Sequence, residues 1–145
     1  MSNSFKNKPI FHYFFSSPIQ AKDIDLGTIE GEKILPLFQA YPWRDWLQRM
    51  KEMEQGEIHF SPTLNFENKH SHQKMLVSAL ENGQEIMFYV FYQRPKTVKR
   101  LLGLWHKHKN DYTTELLDKS PEQTAQLLEA FVNGNYDFLE STIKY

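Results

Sequence analysis

The 145-residue sequence contains no cysteine, and this absence removes several kinds of chemistry at once. Without thiols the chain has no disulfide framework, no thiolate ligand for a metal and no cysteine nucleophile. Glycine is also scarce, because only six glycines are scattered along the chain, so no glycine-rich loop is available to hold a phosphate. These absences predict that the protein has no bound cofactor, neither a metal held by thiolates nor a nucleotide held by a glycine-rich loop.

Long hydrophobic runs and common catalytic motifs are missing as well. The apolar run at residues 10–15 includes His12 and is far too short to cross a bilayer, so we expect no membrane association. Residues 1–8 are polar and lack a signal-peptide core, which predicts a flexible N-terminal arm on a cytoplasmic protein. No Gly-x-Ser-x-Gly, His-Glu-x-x-His, P-loop or Gly-x-Gly-x-x-Gly pattern occurs, and the sequence therefore predicts no catalytic residue.

Aromatic residues, in contrast, are abundant. The chain has 11 Phe, 7 Tyr and 3 Trp, or 14% of its residues, and large rings bury much area each, so a compact core can form from few side chains. The length suits one domain, which we place at residues 9–145. The net charge of −1 gives no overall attraction to nucleic acid, and a nucleic-acid partner is not expected.

Helical periodicity occurs at both ends of the chain. In the N-terminal half, residues 34–41 and 43–53 predict two helices, the second of which follows Pro42 and stops near Gly56. In the C-terminal part, residues 120–123 (Ser-Pro-Glu-Gln) predict a capped helix start, Gly134 predicts its end, and a short helix follows. The apolar stripe of the second helix consists of Trp43, Trp46, Leu47, Met50 and Met53.

Alternating hydrophobicity predicts the strands between these helices. We expect strands over residues 9–16, 57–67, 73–80, 85–93, 97–107 and 112–118, and polar turns at 17–28, 94–96 and 109–111. The Asn-Gly pair at residues 82–83 is typical of a hairpin. Consecutive strands joined by short turns pair antiparallel. The sequence thus predicts an α+β fold with an antiparallel sheet of five to six strands covered by N-terminal and C-terminal helices.

This order of elements resembles the helix-grip fold of START-like and Bet v 1-like proteins. In those proteins a curved sheet wraps a long terminal helix around an apolar cavity, so the resemblance implies a cavity between the sheet and the C-terminal helix. The residues that would line such a ligand pocket are Trp43, Trp46, Met50 and Trp105. The competing interpretation is that these side chains are ordinary core.

Histidine pairs are the residues that could bind a metal. His106 and His108 lie two residues apart on a predicted strand, where they share one face and could converge on a metal ion. His70 and His72 have the same spacing in a predicted turn. The adjacent lysines oppose cation binding, so solvated histidines are the competing interpretation.

A basic stretch could bind an acidic partner protein. Arg94, Lys96, Lys99 and Arg100 begin a segment that has no acid before residue 111. Residues 111–140, however, carry seven acids against one lysine, and pairing with that strand would neutralise the patch. From these features we expect a non-catalytic protein-binding module, comparable to an inhibitor or immunity protein and able to form a homodimer. The alternatives are a carrier or sensor of a small apolar ligand and a metal-dependent enzyme that uses the histidine pairs.

Overall fold

The computed structural model describes the backbone of residues 9–100 and 105–142 and the side chains of residues 9–95 and 112–142. This part of the chain forms one six-stranded antiparallel sheet and four α-helices, which confirms the α+β fold. The strands are β1 (Ile10–Ser16), β2 (Ile24–Glu30), β3 (Thr63–Asn68), β4 (Gln73–Asn82), β5 (Glu85–Arg100) and β6 (Trp105–Lys119). The helices are α1 (Ile34–Ala40), α2 (Trp43–Lys51), α3 (Pro121–Val132) and α4 (Tyr136–Thr142).

The core lies between one face of the sheet and the helices. The strand order is β2-β1-β3-β4-β5-β6, and the register aligns one row of apolar side chains across five strands. Helix α2 meets this face through Trp46, whose ring lies 5.0 Å from that of Phe15. Helix α1 meets it through Phe38, whose ring lies 5.0 Å from that of Phe88. Helix α3 meets it through Phe131, which lies 5.4 Å from Phe11. The buried row consists of Phe15, Leu64, Val77, Val90 and Leu116.

The predicted helix cap and hairpin turn, which depend on residues close together in the sequence, are confirmed. The hydroxyl of Ser120 accepts a hydrogen bond from the Gln123 amide at 3.1 Å, and the Ser120 amide donates to the Gln123 side chain at 3.0 Å. This capping box fixes the start of α3. Gly83 adopts a positive φ of 66° between β4 and β5, as an Asn-Gly hairpin turn requires.

Two strand predictions in the first half are wrong. Residues 24–30, expected to be part of a polar turn, form edge strand β2, whose acidic and half-exposed sequence lacks a clear alternation. The strand predicted from residue 57 begins only at Thr63, directly after Pro62, because proline cannot donate to the ladder. The Pro62 carbonyl instead accepts from the Ala79 amide at 3.0 Å.

The predicted breaks in the last two strands are also wrong. Strand β5 continues through Pro95, which lies at a shift in register between Arg94 and Lys96, where its missing N–H is tolerated. The turn expected at residues 109–111 is instead part of β6, since Lys109 is paired with Lys96. The β5 and β6 strands therefore form one long hairpin, and their connection at residues 101–104 lies outside the described residues.

Two further expectations depended on where the first strand and the last helix lie. An apolar strand such as residues 9–16 would need a second copy to cover it only if it lay at a sheet edge, whereas β1 lies between β2 and β3 and is paired on both sides. The helix-grip resemblance is not confirmed, because α3 ends at Val132, Gly134 follows with a φ of 70°, and α4 is only seven residues long. The expected flexible arm, residues 1–8, lies outside the described residues.

Gly31 is buried against side chains that leave no room for a Cβ atom. A Cβ atom at this position would lie 2.9 Å from Cγ1 of Val132 and 3.2 Å from Cε1 of Phe11. We therefore expect Gly31→Ala to lower the free energy of unfolding by about 2 kcal/mol, since overpacking forces neighbours to move. Gly56→Ala is the matched control, because nothing lies within 4 Å of a Cβ there. Urea unfolding that shows equal losses for the two variants would contradict this packing.

Candidate functional site

An open groove of about 720 Å³ lies between the α1–α2 corner, the start of β5 and one side of α3 from Pro121 to Glu129. Its floor is made of the buried rings of Phe38, Trp43 and Phe88. A volume of this size is within the range of about 300–1,000 Å³ that is usual for ligand sites. The half-buried walls are formed by Leu35, Tyr41, Ile86 and Ala125.

The aromatic floor is held rigidly. The ring of Phe88 lies 5.0 Å from that of Phe38 and 5.3 Å from that of Trp43, in tilted and edge-on arrangements that aromatic pairs prefer. The indole N–H of Trp43 donates to the Phe38 carbonyl at 2.9 Å. The side chain of Trp43 therefore ties the start of α2 to α1, and its apolar surface is presented to the groove.

The rim of the groove is polar and carries more negative than positive charge. Asp45, Glu122 and Glu129 are exposed carboxylates, whereas Arg44 is the one cation among the lining residues that the structure describes. The guanidinium of Arg44 donates to the Gln84 carbonyl at 3.2 Å, in the turn between β4 and β5. A ligand with an apolar body and a positive group would match this combination of floor and rim.

Tyr41 forms part of the groove wall and is uncharged. Burial, reinforced by the nearby Tyr13, raises the pKa of the Tyr41 phenol to about 12. Its ring lies 4.9 Å from that of Trp43. A tyrosine phenol is protonated at neutral pH even at its ordinary pKa, and burial favours this neutral form further, so Tyr41 adds no charge to the groove.

The residues expected to line a ligand pocket do not all meet in this groove. Trp43 lies in its floor. Trp46 packs instead against Phe15, with the Arg49 guanidinium 4.8 Å from its ring centroid. Met50 is half-buried against the core and does not line the groove. The side chain of Trp105 lies outside the described residues.

Arg94, predicted to belong to an exposed basic patch, is buried with only 3% of its surface exposed. Its Nε and Nη2 atoms donate to the two carboxylate oxygens of Glu140 in α4, at 2.8 and 3.0 Å. The guanidinium also lies 4.5 Å from the ring centroid of Tyr92 and 4.9 Å from that of Tyr112. Arg94 thus attaches α4 to the sheet, while the patch residues Lys96, Lys99 and Arg100 have side chains outside the described part.

The histidine pairs lie in two different settings. His70 and His72 are exposed in the turn between β3 and β4, where His72 has a positive φ of 58°. His106 and His108 are paired in register with Lys99 and Thr97, and their side chains are not described. Among the side chains of residues 9–95 and 112–142, no group of three or more histidine, aspartate or glutamate residues could hold a metal ion.

A polar contact at the sheet edge was not predicted. The Nε2 atom of His12 lies 2.7 Å from Oδ1 of Asp25, joining β1 to β2. The Gly27 amide also donates to this carboxylate at 2.8 Å. Together these hydrogen bonds, the backbone one foremost, lower the pKa of Asp25. The contact stabilises the local pairing of β2 rather than forming part of the groove.

Comparisons with protein-family models, curated proteins and solved structures found no match to this chain. In the described part of the chain, none of the helices combines the length and the apolar character needed to cross a membrane. The groove and its charge are therefore the basis for assigning a function.

Proposed function

We propose that this chain is a non-catalytic, cytoplasmic protein-binding domain whose groove takes a basic amphipathic segment of a partner protein. The observation that carries this proposal is the combination of a rigid aromatic floor with a rim of three carboxylates and one arginine. Such a domain would act by occupying its partner, as an inhibitor or an immunity protein does.

The floor would supply most of the binding free energy. Binding energy at protein interfaces concentrates where an apolar side chain fills a well-packed, desolvated pocket. Phe38, Trp43 and Phe88 are already held in place by each other, so little side-chain freedom would be lost on binding. A leucine or phenylalanine from the partner would bury its surface here at about 25 cal/mol per Å².

The rim would select the sign of the partner's charge. Asp45 lies at the α2 side of the groove, and Glu122 and Glu129 lie on α3. Lysines that flank the apolar anchor would approach these carboxylates, whereas acidic residues would be repelled. Charges at an exposed rim affect the association rate and the choice of partner more than the affinity.

The proposal is tested by calorimetric titration with a synthetic peptide of about 14 residues that places leucine on one helical face and lysine on the other. We expect micromolar binding by the full chain and no binding of the same peptide with glutamate in place of lysine. Ala125→Leu, which adds a side chain inside the groove, should weaken binding by at least about tenfold. The matched control is Ala21→Leu, at an exposed loop position, and it should bind as the wild type does.

Two results would overturn this proposal. Equal binding of the lysine and glutamate peptides would show that the rim does not select charge. Unchanged binding by Ala125→Leu would show that the peptide lies elsewhere.

The alternative function, a carrier of a small apolar ligand, is favoured by the volume of about 720 Å³. It is tested with a single-chain quaternary ammonium amphiphile below its micelle concentration. Binding of the amphiphile that Ala125→Leu abolishes, with no binding of the lysine peptide, would assign the groove to a small ligand instead of a protein.

A further inference from the structure

A two-stranded ribbon extends past the rest of the sheet. We define the ribbon as residues 95–100 of β5 and 105–111 of β6. Strand β4 pairs with β5 from Asn82 opposite Glu85 to Lys74 opposite Gln93, and beyond that point the described part of β5 pairs with β6. At about 3.3 Å per residue, the six residues of β5 in the ribbon span about 20 Å.

Both strands of the ribbon are basic in sequence. The register places Lys96 opposite Lys109, Val98 opposite Lys107 and Lys99 opposite His106. No aspartate or glutamate occurs between residues 86 and 110. The expectation that the acidic segment from residue 111 onward neutralises the basic stretch is therefore wrong for the ribbon, because basic residues are paired there with one another.

This arrangement has an energetic consequence. Like charges directly opposite each other on neighbouring strands destabilise their pairing, and Lys96 opposite Lys109 is such a pair. An anionic ligand that lies along the ribbon would remove this repulsion. The net charge of the whole chain is −1, so the chain outside the ribbon carries a net negative charge.

The dimensions of the ribbon favour a nucleic-acid duplex over a folded acidic protein. The major groove of B-form DNA, about 12 Å wide, admits a two-stranded β-ribbon. Alternate positions along a strand repeat about every 6.6 Å, which is close to the rise of about 6.8 Å over two phosphates of one DNA strand. The register places four basic positions, Lys96 and Arg100 of β5 with Lys107 and Lys109 of β6, on one face of the ribbon, where they can lie along a row of phosphates.

We propose that the ribbon binds double-stranded nucleic acid through its phosphates, without sequence preference. Lys96 and Arg100 on β5 and Lys107 and Lys109 on β6 are the positions that would contact phosphates, whereas Lys99 lies on the opposite face of the ribbon. This activity is separate from the groove, since α3 and the α1–α2 corner contribute nothing to the ribbon.

The test measures fluorescence anisotropy of a labelled mixed-sequence duplex of about 20 base pairs over salt concentrations from about 50 to about 200 mM. If all four positions contact phosphates, the plot of log affinity against log salt concentration has a slope of about −3.6. The Lys96→Gln, Lys109→Gln double variant should reduce that slope by about 1.8 and weaken binding by at least about tenfold. The control double variant, Lys22→Gln with Lys33→Gln, removes the same amount of charge at exposed positions outside the ribbon. It should change neither the salt slope nor the affinity for the duplex.

Three outcomes would overturn the proposal. Equal weakening by the two double variants would indicate attraction by charge in general. Tighter binding of phosphatidylserine vesicles or of polyglutamate than of the duplex, lost in the ribbon variant, would assign the ribbon to a membrane or an acidic protein. Absence of duplex binding at the lowest salt concentration would exclude the proposed nucleic-acid binding directly. Circular dichroism confirms that each variant is folded, and Ala125→Leu, which tests the groove, should leave duplex binding unchanged.

Discussion

Arg94→Met is expected to lower the free energy of unfolding by about 3 kcal/mol, because it removes one member of a buried ion pair. The guanidinium donates to the Glu140 carboxylate, to the Tyr92 carbonyl at 3.1 Å and to the Thr114 hydroxyl at 2.7 Å. Methionine replaces much of the aliphatic stem but donates no hydrogen bond. The Glu140 side chain is 36% exposed and can be rehydrated, so the loss should lie at the low end of the range for buried pairs.

The comparison with Glu140→Gln separates the ion pair from the other contacts of Arg94. Glutamine still accepts a hydrogen bond, and the guanidinium keeps its contacts with Tyr92 and Thr114. The buried guanidinium nevertheless loses its counter-charge, so we expect a loss of about 2 kcal/mol. The double variant should lose less than the sum of the two single losses, since the residues contact each other. Urea unfolding gives all three values, and strict additivity would contradict the geometry.

The placement of Arg94 shows what a sequence of this kind can and cannot predict. Its basic neighbours in sequence suggested an exposed patch, but its burial depends on Glu140, which is 46 residues away along the chain. No local pattern encodes that pairing. The groove could not be predicted for the same reason. Its lining comes from three separate segments, and the charge of its rim arises only when α2 and α3 are brought together.

Signals that depend on near neighbours were predictive. The capping box of Ser120 and Gln123 and the turn at Gly83 formed as expected, because their hydrogen bonds and dihedral angles are set within a few residues. The stripe of α2 faces the core through Trp43 and Leu47, as its period requires. Of the described residues expected to line a ligand pocket, Trp43 lies in the floor of the groove, whereas Trp46 and Met50 do not line it, since an apolar stripe marks the buried face and not the position of a gap.

The length and pairing of the strands were less predictable. Strand β2 is held at the edge by its pairing with β1 and by contacts such as Ser16 to Asp23 at 2.7 Å, which compensate for a weak strand sequence. Pro95 and the polar residues at 109–111 are typical of turns, yet the continuous β5–β6 pairing overrides them. Tertiary and cross-strand contacts therefore outweighed local preference at these positions.

Phe88→Ala is expected to lower the free energy of unfolding by about 4 kcal/mol, because it removes a whole ring from a tightly packed site. Phe88 is only 2% exposed and contacts both Phe38 and Trp43. The cavity left behind would open into the groove. Part of the loss could be recovered by an apolar ligand that fills the space, since any ligand that binds only the folded state stabilises it.

Phe60→Ala is the matched control for this prediction. Phe60 lies outside the strands and helices and is 37% exposed, so the same substitution should cost less than about 1 kcal/mol. Equal losses in urea unfolding would mean that the floor of the groove is not part of the core. A Phe88→Ala variant whose lost stability is partly restored by the leucine–lysine peptide, but not by its glutamate counterpart, would link the packing of this ring to the occupant of the groove. That link is expected because Phe88 supports the core on one side and lines the binding surface on the other.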